Sequence, residues 1–368
     1  MINRFLQLFI FILFLASNLL CQIEINDNSY KRLEGDADSL SLKANIIQLA
    51  QRLSGNYEVY SPEINTRASE IDGHINEDNL AVINQLGSNN PILEGVFVDD
   101  RFTGLWNIDK NGKTIELIES YPEGSMPLNV YYLRSEAKLI DEEVDSPTAE
   151  IELTMIYPVK TINDDSSVRY LDQCIRGHFI DADINYQHPD SLLTHAQKAF
   201  FKLYREQNKD WQESCNAFDW LKETNMSVCY NSEYILCLEY LDYVYTGGAH
   251  GMTNQSFDIF NLKTGTMISF QDIFKSDAVK RLSDILTSQL RSDRHIPDSI
   301  SLKEAGFFVD VIKPGTNIYL NGSGIGFIYN QYEIAPYSVG ISNIFIDYDQ
   351  LNGVLKENTP IYKIAESY

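Results

Sequence analysis

Apolar positions along the chain follow two periods, and the change from one to the other organises it. Leu42, Ile46, Ile47, Leu49, Ala50 and Leu53 fall on one face of a 3.6-residue repeat, which predicts a short amphipathic helix over Leu42 to Leu53. Glycine-punctuated runs come next. Gly95 to Val98, Phe102 to Ile108 and Thr114 to Ile118 read as short strands, and Asn111-Gly112 tolerates the positive φ of a tight hairpin turn between the last two. Residues 22–140 therefore predict a small, mainly antiparallel β module.

The acidic, proline-terminated run from Asp141 to Pro147 breaks this pattern and predicts a linker. Alternation at Ile151, Leu153, Met155 and Tyr157 then predicts a strand that stops at Pro158. Val168 to Phe179 suits a helix, and a second helix opens at Asp190-Ser191, whose side chains can cap free amides. Further strands are predicted at 227–230, 234–245, 256–261, 307–312, 317–320, 326–329 and 342–347. One helix interrupts them at 278–290. Strands broken by a few helices, without regular βαβ alternation, predict an α+β fold with mainly antiparallel sheet. Its divisions are 1–21, 22–140, 148–245 and 246–357.

Residues 1–21 read as a signal peptide, because Arg4 precedes an apolar run from Leu8 to Ala16. That run is too short to span a bilayer, which takes about 20 apolar residues. An exported product, periplasmic or extracellular, without a transmembrane span follows. Lipid anchoring at Cys21 is disfavoured, since Leu20 stands where processing takes a small residue. Lys and Arg number 29 against 52 Asp and Glu, a net charge of -23, which excludes a nucleic-acid function because phosphate binding is built on bases. Downstream of Cys21 lie Cys174, Cys215, Cys229 and Cys237. In an oxidising compartment these predict one or two disulfides, in a connectivity the spacing leaves open.

Motifs for known chemistry are scarce. The chain has no His-Glu-x-x-His, no Gly-x-Ser-x-Gly and no phosphate-binding lysine loop. Asn107-x-Asp109-x-Asn111-Gly112 imitates a calcium loop but has Ile118 where the bidentate Glu belongs, so the hairpin reading prevails. Asp181, Asp183, His188 and Asp190 form the densest set of metal-ligand types, and they read more simply as a capping loop. No metal or cofactor is expected. The most distinctive segment is Tyr245-Thr246-Gly247-Gly248-Ala249-His250-Gly251, a tight loop between aromatic-rich strands. There His250 is either a loop-borne ligand group or a structural donor.

This segment, with Phe257-Asp258, Leu262 to Gly265, Phe270 to Phe274, Tyr332 to Tyr337 and Gly340, resembles a family of extracytoplasmic domains. The family includes the lysozyme-binding ectodomain of RsiV-type anti-sigma factors and accessory domains of PdaC-type peptidoglycan deacetylases. Ala149 to Pro158 and the helices after it are similar to the domain that precedes it there; residues 22–140 carry no such likeness. The cytoplasmic segment of an anti-sigma factor and a separate deacetylase barrel have no counterpart, so the resemblance implies binding. The expectation is a non-catalytic envelope protein taking a basic protein such as lysozyme, or cell-wall glycan, at Tyr245, Gly247, Gly248, His250, Tyr332 and Tyr337. The alternative is a cell-wall hydrolase with His250 as its acid-base group.

Overall fold

The computed structural model describes residues 28–61, 67–107, 112–160, 168–180, 188–209 and 219–367. Eight strands come first: β1 (Ser29–Ala37), β2 (Leu40–Leu49), β3 (Arg52–Tyr60), β4 (Arg67–Ile75), β5 (Ala81–Gln85), β6 (Pro91–Val98), β7 (Arg101–Trp106) and β8 (Lys113–Glu119). Each pairs antiparallel with the next, and β8 pairs back to β1, which closes a barrel and leaves no free sheet edge. Leu33, Leu42, Ala44, Ile46, Ile83, Leu93, Phe102 and Trp106 fill its interior. The predicted hairpin is the β7–β8 pair, and Gly112 has φ +60°. Residues 108–111 of its turn, and with them the centre of the calcium-loop imitation, lie outside the described residues.

The helix expected over Leu42 to Leu53 is instead the β2–β3 hairpin. Leu42, Ala44 and Ile46 alternate into the barrel, while Ile47 and Leu49 point outward onto the neighbouring core. A strand with two apolar faces thus imitates helical spacing, and Ala50, at φ +53°, makes the turn.

A six-stranded sheet follows, in the order β14-β13-β12-β11-β10-β9. Its members are β9 (Leu128–Lys138), β10 (Thr148–Pro158), β11 (Trp220–Ser232), β12 (Ile235–Tyr245), β13 (Met252–Asn261) and β14 (Thr266–Met267). The acidic stretch 141–147 joins β9 to β10, which pair along their whole lengths. Only β10 and β11 run parallel, through a crossover carrying α1 (Arg169–Phe179) and α2 (Pro189–Gln207). His188 caps α2, its Nδ1 accepting from the N–H of Asp190 at 3.4 Å, two to three positions earlier than the sequence suggests. Asp181 and Asp183 lie outside the described residues.

The central strand β12 is apolar on both faces, as a doubly covered strand must be. Leu236, Leu238 and Tyr240 meet the core beneath α1 and α2, whereas Ile235 and Cys237 meet a second core. That second core holds α3 (Phe270–Ile273), α4 (Val279–Asp293), a sheet of β15 (Ile318–Leu320), β16 (Gly324–Tyr329) and β17 (Ser342–Asp347), and α5 (Pro360–Ser367). The strand expected at 307–312 is irregular chain. Phe307 and Ile312 are buried, but the N–H of Phe308 goes to the Ile334 carbonyl and that of Ile312 to the Thr287 hydroxyl, so no ladder forms. The whole is α+β and mainly antiparallel, as the sequence predicts. Among the described residues no helix is long and apolar enough to cross a membrane.

Cys174, Cys229 and Cys237 are free thiols, so the bridges expected among them are not formed; Cys215 lies outside the described residues. Cys229 occupies a bulge in β11 beside Cys237. Their mutual hydrogen bond and burial push the Cys229 thiol well above its ordinary pKa, which leaves it un-ionised.

Buried polar groups join the barrel to the rest. Arg32, 3% exposed, donates from Nε to the Asn231 carbonyl at 2.8 Å and from Nη1 to the Ser120 carbonyl at 2.9 Å. Glu58, 4% exposed, accepts from the Gly322 N–H at 2.6 Å and from the Tyr60 hydroxyl. Burial raises the Glu58 pKa in spite of these donors. A carboxyl raised on folding adds stability that is full below its unfolded pKa and is lost as pH climbs through the folded one. The melting temperature of the parent is therefore expected to fall relative to that of Glu58→Gln as pH rises from about 4 to 7. A gap that stays constant over that range would refute this role for Glu58.

Candidate functional site

The loop after β12 is built on two glycines. Gly247 and Gly248 both have φ +97°, where side chains other than glycine are strained. The Tyr245 hydroxyl closes the loop by donating to the Gly248 carbonyl at 3.1 Å. His250 follows on the outside, its Nδ1 3.1 Å from the Gly251 carbonyl.

The second element is the turn after β16. Tyr332 stands at φ +70°, which is uncommon for an aromatic residue, and its side chain is 51% exposed. Backbone strain of this kind persists only where neighbours hold it. Here Asn330 Oδ1 accepts from the Gln255 N–H at 2.8 Å, and Gln331 Oε1 from the Thr253 N–H at 3.2 Å. These amides cover the edge of β13 that β14 leaves unpaired, and so tie the turn to the strand that follows the glycine loop.

The two elements meet face to face. The His250 and Tyr337 rings stack with centroids 3.8 Å apart and planes 21° apart, and Tyr332 lies 6.0 Å from Tyr337. The Tyr337 hydroxyl donates to the Gly251 carbonyl at 2.9 Å, fixing the stack from below. His250, Tyr332 and Tyr337 are thus brought together across 82 to 87 positions of sequence, while Tyr245, Gly247 and Gly248 shape the loop that carries His250. Exposed Met252 lies beside it in β13. Asn330 and Gln331, which hold the tyrosine turn against β13, are the residues that sequence reasoning missed; their signal is only a pair of amides ahead of a tyrosine.

His250 has no described carboxylate within ion-pairing distance; its partners are the Gly251 carbonyl and the Tyr337 ring. A second histidine does have one. His178 Nε2 is 3.4 Å from Asp258 Oδ2, and its ring stacks on Tyr240 at 3.4 Å. Cys174, one turn earlier on α1, has its thiol pKa raised, first by burial and then by the charge of Asp258. A nucleophilic thiol needs the opposite shift. Among the described residues no group of three or more His, Cys, Asp or Glu is placed to hold a metal ion.

No curated protein matches the chain. Residues 144–253 match the family described as deacetylase PdaC, and residues 271–349 the family described as a protein of unknown function, DUF3298. A DUF3298-family crystal structure from Bacteroides fragilis has a TM-score of 0.59 at 24% identity, over 66% of this chain and 98% of that one. A second, from Pseudomonas aeruginosa, has a TM-score of 0.44 at 19% identity, over 64% of this chain and 97% of that one. The resemblance read in the sequence is thus shown for these two regions, and both are consistent with an envelope-associated protein. The strands β1 to β8 lie outside both matches. His250 falls in the first matched region and Tyr332 and Tyr337 in the second, so the aromatic stack lies where the two regions meet.

Proposed function

We propose that this is an exported, non-catalytic binding protein of the cell envelope, and that its partner is a basic protein docking on the His250–Tyr337–Tyr332 surface. The observation that carries this reading is the packing of the glycine loop against the tyrosine turn into a single exposed aromatic face. Rigid aromatic rings with few rotatable bonds lose little entropy on docking and supply most of the energy of interface centres. A net charge of -23 favours a cationic partner and speeds its encounter, to a degree that falls with salt. Cell-wall glycan, which stacks on tyrosines without needing charge, is the competing ligand. A hydrolase would need an acid within reach of His250.

The test is retention on immobilised hen lysozyme and on purified peptidoglycan, each at low and high salt. Retention by lysozyme that salt abolishes is expected. Salt-insensitive retention by peptidoglycan alone would transfer the surface to glycan, and failure to bind either would end the proposal.

A further inference from the structure

A cavity of 500 Å³ opens between the barrel and the two sheets, within the volume range of small-molecule sites. Its barrel wall is β3 and β4, with Glu70, which keeps its solvent exposure, among the lining residues; the opposite wall is β11, β12, β15 and β17, with Glu239, Tyr319 and Phe345. A second cavity of 430 Å³ shares Ser54, Asp72, Ser227 and Glu239 with the first. None of this touches the His250 surface, and nothing below depends on how that surface is used.

Two independent features converge here. The first is an aromatic wall. Tyr319 and Phe345 lie over Gly326 and Gly324 of β16, where any side chain would collide with their rings. The rings are 6.0 Å apart, Tyr319 is backed by Phe257 at 4.9 Å, and its hydroxyl accepts from Asn343 Nδ2 at 2.9 Å, so the wall is fixed. The second is a set of three acids, Glu70, Asp72 and Glu239, with no cationic side chain in the lining. Glu239 accepts from Ser227 Oγ and Gln255 Nε2, both at 2.5 Å, which steadies its carboxylate. Glu70 has no side-chain hydrogen bond among the described residues, and its pKa is raised first by burial and then by the charge of Glu239. No Lys, Arg or His lines the 500 Å³ cavity; Arg52, in the adjoining one, is bonded to Glu152 at 2.7 Å.

We propose that this cavity binds a small organic ammonium ion, with its charge between Glu70 and Glu239 and its alkyl body against Tyr319 and Phe345. An anion would be repelled by all three acids. A neutral molecule of the same shape would leave their repulsion unrelieved. A cation relieves it and packs its alkyl groups against the two rings.

Choline and its uncharged isostere 3,3-dimethylbutan-1-ol separate charge from shape, and titration calorimetry on the purified chain reads both. Saturable choline binding in the millimolar range is expected, with the alcohol about tenfold weaker. Glu70→Gln, which removes only the charge of a side chain holding no partner among the described residues, should weaken choline about tenfold and leave the melting temperature unchanged. Phe345→Leu should weaken both ligands. Equal affinity for the two ligands, choline binding unaltered by Glu70→Gln, or no saturable binding of choline overturns the proposal. Lysozyme retention is unaffected by any of these outcomes.

Discussion

Arg32→Met is expected to lower the unfolding free energy by about 3 kcal/mol, since two main-chain carbonyls at the barrel junction lose their donors at about 1–3 kcal/mol each. The carbonyls are those of Asn231 and Ser120. Methionine retains the apolar length of the arginine stem, so packing loss adds little. The ion pair to Glu34, with 30% of that side chain exposed, adds little too, because the freed carboxylate is rehydrated. Asn231 is also engaged through its side chain, donating to the Tyr30 hydroxyl at 2.9 Å and to the Met126 carbonyl at 2.8 Å, and the perturbation therefore spreads to the rest of the junction. Arg32→Lys should recover only part of the loss, because an ammonium cannot reproduce the guanidinium fork. Urea unfolding reads the effect as a shifted midpoint with unchanged slope. An unfolding free energy within about 0.5 kcal/mol of the parent would show that the barrel is held by its other contacts.

Tyr337→Ala should weaken lysozyme binding about thirtyfold, the about 2 kcal/mol of a residue central to an interface. Tyr337 both stacks on His250 and fixes Gly251, so its removal deletes contact area and releases the glycine loop. Tyr337→Phe divides these roles. It keeps the ring and loses only the hydroxyl bond, worth about 1 kcal/mol, and should fall about fivefold. The side chain is partly exposed and belongs to neither core, so both variants should melt near the parent temperature. Equal binding by all three proteins would remove the stack from the interface.

Local signals in the sequence were sufficient where the chain itself sets the geometry. Asn111-Gly112 announces the β7–β8 hairpin, and Gly247-Gly248 announces a loop that only glycine can form. Tertiary context decides elsewhere. Ile47 faces outward in β2, yet it is as apolar as Ile46 because another core covers it; the resulting run looks helical to any periodicity test. Phe307 to Ile312 has strand composition, but its backbone donors go to Ile334 and Thr287 rather than to a neighbouring strand. Arg32 and Glu58 are single charges in polar surroundings, and nothing near them indicates partners 199 and 264 positions away. The Tyr337–His250 contact belongs to the same class: each residue is conspicuous alone, and the amides of Asn330 and Gln331 together with the Tyr337 hydroxyl bond to Gly251 explain why they meet.

Hydrogen exchange of the free chain and of the chain saturated with lysozyme at low salt tests the shared surface most directly. Residues 246–252 and 332–340 should gain protection together, with the outer strands of the barrel unchanged. Protection of one segment without the other, or of the barrel alone, would contradict a common recognition face.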